Sequence, residues 1–305
     1  MRLLVASQMV KMPRPLVMKS AVGMFIVALC FLSARNDVAQ TQREQQEIVR
    51  AGRANLHVTI RGKGDPIVFI PSLGRGVDDF DRVGNALVAA GYKVILPEPR
   101  GIGRSTGPLE GITLHDLAAD VAAIIRATGP GPATVVGHAF GNRVARMVAV
   151  DHPALVKEVI LLADGGMTPM SPETEAAFRR VFNSTLPRVE RIAAIQRAFF
   201  ARGNDATAWE KGWYYDLASA QGAAVRATPL SEWWGAGPAP ILVLQGAEDV
   251  IALPENSRRL AAEYPKRVTI VEIPRSGHAM LPEQPDLISA AILAYLKRQG
   301  AGTPG

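Results

Sequence analysis

The sequence predicts an α/β fold: a mostly parallel central sheet with helices on both faces, interrupted by a helical insertion. Three observations predict it. Short apolar runs alternate with longer stretches of helical periodicity along most of the chain. Those runs are continuous, not alternating polar and apolar, as strands covered on both faces require. One segment, residues 167–237, shows no strand signal and holds ten of the eighteen aromatic residues, including every tryptophan.

The elements follow in order. Residues 48–60 end in Leu-His-Val-Thr-Ile and read as two antiparallel edge strands, closed by a turn at Arg61-Gly-Lys-Gly-Asp-Pro66. Ile67–Ile70 is a buried parallel strand flanked by turn signals. Residues 77–90 are helical, with Phe80, Val83, Leu87 and Val88 on one face and Gly91 as the stop. Lys93–Leu96 is the next strand. Thr113–Thr128 is a helix capped by Thr113, with Leu117, Val121, Ile124 and Ile125 as its apolar stripe. Strand 133–136 and helix 140–150 follow, then strands at 158–162, 241–244 and 268–273, with helices at 254–263 and 286–298. Right-handed β-then-α crossovers of this kind give a parallel sheet. Within the insertion, helical patterns span residues 173–182 and 188–201. An aromatic-rich helical segment between two core strands reads as a lid over an apolar pocket, with Trp209, Trp213, Trp233 and Trp234 as candidate walls. The core is thus residues 40–166 and 238–299, the lid 167–237, and 300–305 a flexible tail.

The charge of the chain is unevenly placed. Positions 1–39 carry five basic residues against Asp37 alone, a net +4 of the chain's formal +6; the other 266 residues hold only +2. The basic balance therefore points to the leader and not to a nucleic-acid surface. Ala21–Leu32 is an apolar run behind Lys11, Arg14 and Lys19, too short to span a bilayer comfortably. It reads as an export signal, with an uncleaved N-terminal anchor or a start at Met12 or Met18 as alternatives. The protein is then exported (periplasmic or secreted), or held at a membrane by that segment alone. The single cysteine, Cys30, lies in the leader, which excludes a cysteine zinc site.

Chemistry concentrates in Thr134-Val-Val-Gly137-His-Ala-Phe-Gly141-Asn-Arg-Val-Ala. This reads as a strand, a very short turn and a helix. Glycines lie two before and two after Ala139, the spacing a strained strand-to-helix elbow needs, because flanking side chains would clash. The elbow lifts its central residue clear of the sheet beside a helix N-terminus. In this the chain resembles the α/β-hydrolase superfamily, whose elbow is G-x-S-x-G. Four more segments agree, in the family's order. Pro71-Ser-Leu-Gly-Arg-Gly76 is similar to an oxyanion loop, and Pro97–Ser105 to the D-x-R-G-x-G-x-S turn with Glu98 in place of the aspartate. Gly246-Ala-Glu-Asp249 resembles the acid loop and Ser276-Gly-His278 the base loop. The resemblance spans residues 50–298. It implies His278 as base, Asp249 as the acid that orients it, and the N–H groups of Phe140 and Leu73 as an oxyanion hole. No metal or organic cofactor is implied.

The resemblance departs at Ala139, which has no nucleophile. Four readings stay open: an engineered inactivation; attack by another residue, with Ser72, Ser105 or Ser276 as candidates; direct activation of water or a substrate proton by His278 and Asp249; or a pseudo-enzyme that binds a small apolar ligand. Ser72 also has an ordinary role in turn hydrogen bonding. His57, His115 and His152 have no motif around them, and His138 reads as a packing residue. The expectation is a hydrolase acting on a small neutral organic ester or related carbonyl compound without the usual serine, with a ligand-binding pseudo-hydrolase as the alternative.

Overall fold

A computed structural model describes residues 44–301. The expected leader, with Cys30, and residues 302–305 of the expected tail lie outside them. Eight strands form one sheet: β1 (Gln45–Ala51), β2 (Ala54–Arg61), β3 (Pro66–Ile70), β4 (Lys93–Pro97), β5 (Ala133–His138), β6 (Val156–Leu162), β7 (Ile241–Gly246) and β8 (Val268–Ile273). Their order across the sheet is β1-β2-β4-β3-β5-β6-β7-β8. β1 and β2 pair antiparallel, as do β2 and β4; every later pairing is parallel. The β1–β2 hairpin closes on Gly52-Arg53, with Gly52 at φ 56°. A left-handed residue there suits the tight turn, and glycine takes it without a Cβ penalty.

Helices cover both faces. On one, α2 (Leu114–Thr128) and α3 (Phe140–Asp151) press Val121, Ile124, Ile125, Val144 and Val148 onto the sheet. On the other, α1 (Asp81–Ala89) brings Val83 and Leu87. A helix near the C-terminus (Pro285–Ala301) adds Ile288 and Ile292 to that face. α2 starts at a capping box: Asp116 N–H donates to Thr113 Oγ1 at 3.3 Å, and Thr113 N–H to Asp116 Oδ2 at 2.8 Å. That satisfies two of the orphan donors of the first turn.

The segment between β6 and β7 holds helices and no strand: α4 (Pro172–Val181), α5 (Arg188–Phe199), a 3₁₀ turn (Ala206–Trp209), α6 (Tyr215–Ala227) and α7 (Leu230–Trp233). α4 and α5 fall where the periodicity places them. α6 has no counterpart in the sequence reading, because its buried side chains are mostly small or polar: Leu217, Ala218, Gln221 and Ala224. After β7 come α8 (Pro254–Glu263), the short α9 (Met280–Glu283) and the C-terminal α10 (Pro285–Ala301). Among the described residues no helix is long and apolar enough to cross a membrane.

Candidate active site

One residue, Ala139, joins the end of β5 to the start of α3, at φ 51° and ψ −105°. The flanking glycines have a steric reason. A Cβ on Gly137 would run into the carbonyl of Gly141, and one on Gly141 into the carbonyl of Ile70. The turn is held by Ala139 N–H donating to the Leu162 carbonyl (2.9 Å) and by Asn142 N–H donating to the Ala139 carbonyl (3.1 Å). A non-glycine residue in this region costs on the order of 1–3 kcal/mol. The strain is present although the side chain is a methyl group.

β7 delivers Asp249 and β8 delivers His278, each on the loop after the strand. Asp249 Oδ1 accepts from the N–H groups of Ile251 (2.9 Å) and Ala252 (2.8 Å). His278 Nδ1 lies 2.9 Å from Asp249 Oδ2 and 3.2 Å from Oδ1. Because a carboxylate only accepts, Nδ1 is the donor, and in the neutral ring that leaves the lone pair on Nε2. Both side chains are buried.

Two groups that the sequence reading did not place in the site fix the His278 loop. His138 is fully buried, and its Nε2–H donates to the His278 carbonyl at 2.8 Å. Burial, aided by the nearby His278, holds the His138 pKa down to about 3, so the ring stays neutral. Glu283 accepts from Gly277 N–H (2.7 Å) on one side and from Ala201 N–H (2.7 Å) and Asn204 Nδ2 (2.6 Å) on the other. Burial pushes its carboxyl pKa up. Ala279 N–H also donates to the Phe199 carbonyl at 2.8 Å, so the His278 loop is joined to the end of α5.

The residues of the two expected oxyanion donors, Leu73 and Phe140, both border the same cavity. Phe140 is the first residue of α3, so its N–H has no partner within the helix. Leu73 sits on the loop after β3. That loop is fixed by Gly74 N–H donating to Gln221 Oε1 (2.8 Å) and by Tyr214 N–H donating to the Gly74 carbonyl (2.9 Å). Gly74, at φ 62°, packs so closely on Ala218 that a Cβ would come within 2.7 Å of that residue's own.

Ala139, His278, Leu73, Phe140 and Ser72 open onto one cavity of about 430 Å³ between the core and the inserted helices. Small and flexible side chains make up much of the wall, among them Ala163, Met167, Met170 and Val225. The 165–170 stretch is anchored by Asn256, whose Oδ1 accepts from Met167 and Thr168 N–H, both at 2.8 Å.

None of the four tryptophans lines this cavity, a correction to the sequence expectation. Trp209 and Trp213 instead stack on the Arg75 guanidinium, with ring centroids 4.6 and 4.9 Å away. Arg75 is itself paired with Asp79 at 2.5 Å. Trp233 and Trp234 flank the buried Arg146 at 5.6 and 4.7 Å. Aromatic faces next to buried guanidiniums supply the negative potential that lost water would have given. The aromatic side chains that do reach the cavity are Phe178 and Phe199, along with Phe140.

The candidate serines separate. Ser72 lines the cavity. Its main-chain carbonyl accepts from Arg75 N–H at 3.1 Å. Ser105 is committed elsewhere: its Oγ donates to the Glu98 carbonyl and accepts from His57 N–H, both at 2.8 Å. Ser276 is buried, and its Oγ lies 3.4 Å from the Gly277 carbonyl. The expected bystander histidines His57 and His115 face carboxylates: His57 Nδ1 lies 3.1 Å from Glu98, His115 Nδ1 lies 2.8 Å from Asp151, and His115 Nε2 lies 2.8 Å from Glu232.

Below the elbow, Arg146 and Asp164 are both fully enclosed and bonded to each other. Arg143, one turn before Arg146, reaches the cavity. Arg143 and Arg146 lie three apart on α3.

A protein-family model described as the alpha/beta hydrolase fold matches residues 65–213. The chain is 28% identical over 260 residues to a 2-hydroxymuconate semialdehyde hydrolase of Pseudomonas sp. strain CF600, covering 76% of this chain and 87% of that protein. It is 26% identical over 271 residues to a non-heme haloperoxidase of Rhodococcus erythropolis, covering 77% of this chain and 93% of that one. The solved structure of Rv0554 from Mycobacterium tuberculosis superposes with a TM-score of 0.68 at 27% identity, over 84% of this chain and 99% of that one.

Proposed function

The chain belongs to the α/β-hydrolase fold superfamily, and on that premise we propose that it hydrolyses a small organic ester or related carbonyl compound with water, not a side chain, as nucleophile. The observation that carries the reading is the open cavity of about 430 Å³ above Ala139, bordered at once by His278, Leu73 and Phe140. A methyl group where the family has a hydroxymethyl leaves room for a water against the base. The four tryptophans do not fill that space.

In this reading the substrate carbonyl oxygen lies between the N–H groups of Leu73 and Phe140. His278 Nε2 takes a proton from water as its oxygen bonds to the carbonyl carbon. The two amides hold the oxyanion, and Asp249 stabilises the imidazolium. The intermediate collapses, the bond to the leaving group breaks, and His278 returns the proton to it. One water is consumed, giving an acid and an alcohol, with no covalent enzyme intermediate. Oxyanion holes and binding alone leave roughly 10³–10⁴-fold acceleration over water in triads that lack a member, so a slow enzyme is expected.

The test is turnover of short-chain chromogenic esters, with quenched reactions examined by mass spectrometry. Native protein is expected to turn over without an acyl adduct. His278→Ala should lose about 10²-fold or more, the scale of one general base. A native protein without turnover, beside an active Ala139→Ser variant, overturns the reading in favour of a ligand-binding pseudo-hydrolase. Fluorophosphonate labelling of Ser72 overturns water as the attacking group.

A further inference from the structure

The charged side chains that border the cavity are both cationic. Arg143 and Arg226 reach it, and among the described residues no carboxylate lines it. The sequence expectation of a small neutral substrate took no account of these two cations.

Arg143 is the informative one. It lies on α3 four residues after Ala139, and its Nη1 donates to the Ala139 carbonyl at 3.3 Å. Its Nε is buried and has no acceptor. The buried carboxylate within reach, Asp164, is bonded to Arg146, which is fully enclosed. One carboxylate between two guanidiniums leaves one positive charge over. Trp233 offers a ring face to both, with centroid distances of 5.6 Å, but a ring is not a counter-ion. Burial, the dominant cause, pulls the Arg143 pKa down to about 10, which still leaves it charged at neutral pH. A charge held in a low-dielectric wall without a partner is expensive unless something else supplies the opposite sign.

Arg226 continues the pattern outward. It is exposed, on α6, with its guanidinium beside Gly222 at the cavity wall. Among the described residues it has no ion pair. A cation at a mouth and a second cation inside draw an anion along one path.

We propose that the compound this site takes carries a carboxylate, seated on Arg143, as well as the carbonyl that meets Leu73 and Phe140. This rests on the hydrolase reading for the second group only; the anion site stands on the arginines. Arg143 bonds to the carbonyl of the elbow residue itself, so the carboxylate and the reacting carbonyl belong to one small molecule. A half-ester of a short dicarboxylic acid or a short oxo acid has that shape. Charge-assisted bonds to a guanidinium are about twice as strong as neutral ones, which supplies selectivity against the uncharged analogue.

The experiment is titration calorimetry of the full chain with monomethyl glutarate and, as its uncharged match, dimethyl glutarate. The half-ester is expected to bind about tenfold or more tightly, a preference that shrinks with added salt. In Arg143→Met the preference should fall to within about twofold. In Arg143→Lys, which keeps the charge but not the fork, part of it should return. Equal affinity of the two compounds for the native protein overturns the proposal, as does failure of the half-ester to bind at millimolar concentration. So does a folded Arg143→Met that keeps the full preference. If Arg143→Met does not fold, the native comparison and Arg226→Gln, expected to weaken the half-ester alone, still decide. His278→Ala separates the two readings: the preference should survive it whether or not the native protein turns over esters.

Discussion

At the scale of single residues, the site is a set of constraints on backbone more than on side chains. Gly137 and Gly141 are glycines because carbonyl oxygens occupy the space of a Cβ. Gly141→Ala is therefore expected to lose the elbow, with a stability loss of several kcal/mol, the scale of overpacked cores, measured by denaturant unfolding. His138 yields a pH prediction. Unfolded, its ring takes a proton below its ordinary 6.5; folded, it refuses one until about 3. The unfolded state then binds more protons in that window, so stability is complete above 6.5 and falls as pH drops towards 3. His138→Gln keeps a donor for the His278 carbonyl and has nothing to protonate. Unfolding free energies at about pH 7 and about pH 5 should differ by roughly 1–2 kcal/mol more in the native protein than in the variant. Equal differences would mean His138 is protonated in the fold. Sequence made Ala139 legible through the glycines spaced around it, and Asp249 and His278 through the resemblance of their loops to the family's acid and base loops. Arg143 carried no such spacing. Its role depends on which carboxylate it lacks, and pairing across elements is not written in local pattern.

At the scale of elements, strands and core helices were readable because a parallel sheet imposes its own signature: continuous apolar runs, then helical stripes. The β1–β2 hairpin and all six parallel strands stand within a few residues of their predicted positions. α6 was not readable. It packs with alanines and with a glutamine whose amide oxygen takes Gly74 N–H, so it lacks the stripe that marks an amphipathic helix. The same glutamine ties α6 to the loop bearing the Leu73 amide. Gln221→Ala leaves a buried N–H unpaired, a loss of about 1–3 kcal/mol. It also frees the loop that bears Leu73, whose amide is the proposed oxyanion donor. Turnover of a chromogenic ester should therefore fall through kcat, with KM changed much less, because the oxyanion exists only in the transition state. A variant that changes KM alone would place the loop in ground-state binding.

At the scale of the molecule, the question is how the inserted helices could act as a lid. The tryptophan content suggested a cover whose aromatics face the pocket. In the structure those rings belong to seams that fix the insertion to the core. Trp209 and Trp213 clamp Arg75, whose Nη1 also donates to the Lys211 carbonyl at 2.6 Å. Gln221 holds the loop after β3, and Glu283 joins the His278 loop to Ala201 and Asn204. A lid swinging as one body would break all of these and disassemble the Leu73 loop and the His278 loop together. α4 is attached differently: only Thr174, Ala177 and Val181 of its ten residues are buried, while it contributes Phe178 to the cavity wall. Local opening free energy follows buried apolar contact. Access to the cavity is thus expected through α4 and the turn after it, with the rest of the insertion held in place. Hydrogen exchange followed by mass spectrometry should show amides of residues 172–186 exchanging well before those of Ala201, Gly277 and Ala279. Saturation with a bound half-ester should slow the first group most. Exchange of the whole of 167–237 as a single cooperative unit would restore the swinging lid, and the seams at Arg75 and Glu283 would then have to open in every catalytic cycle.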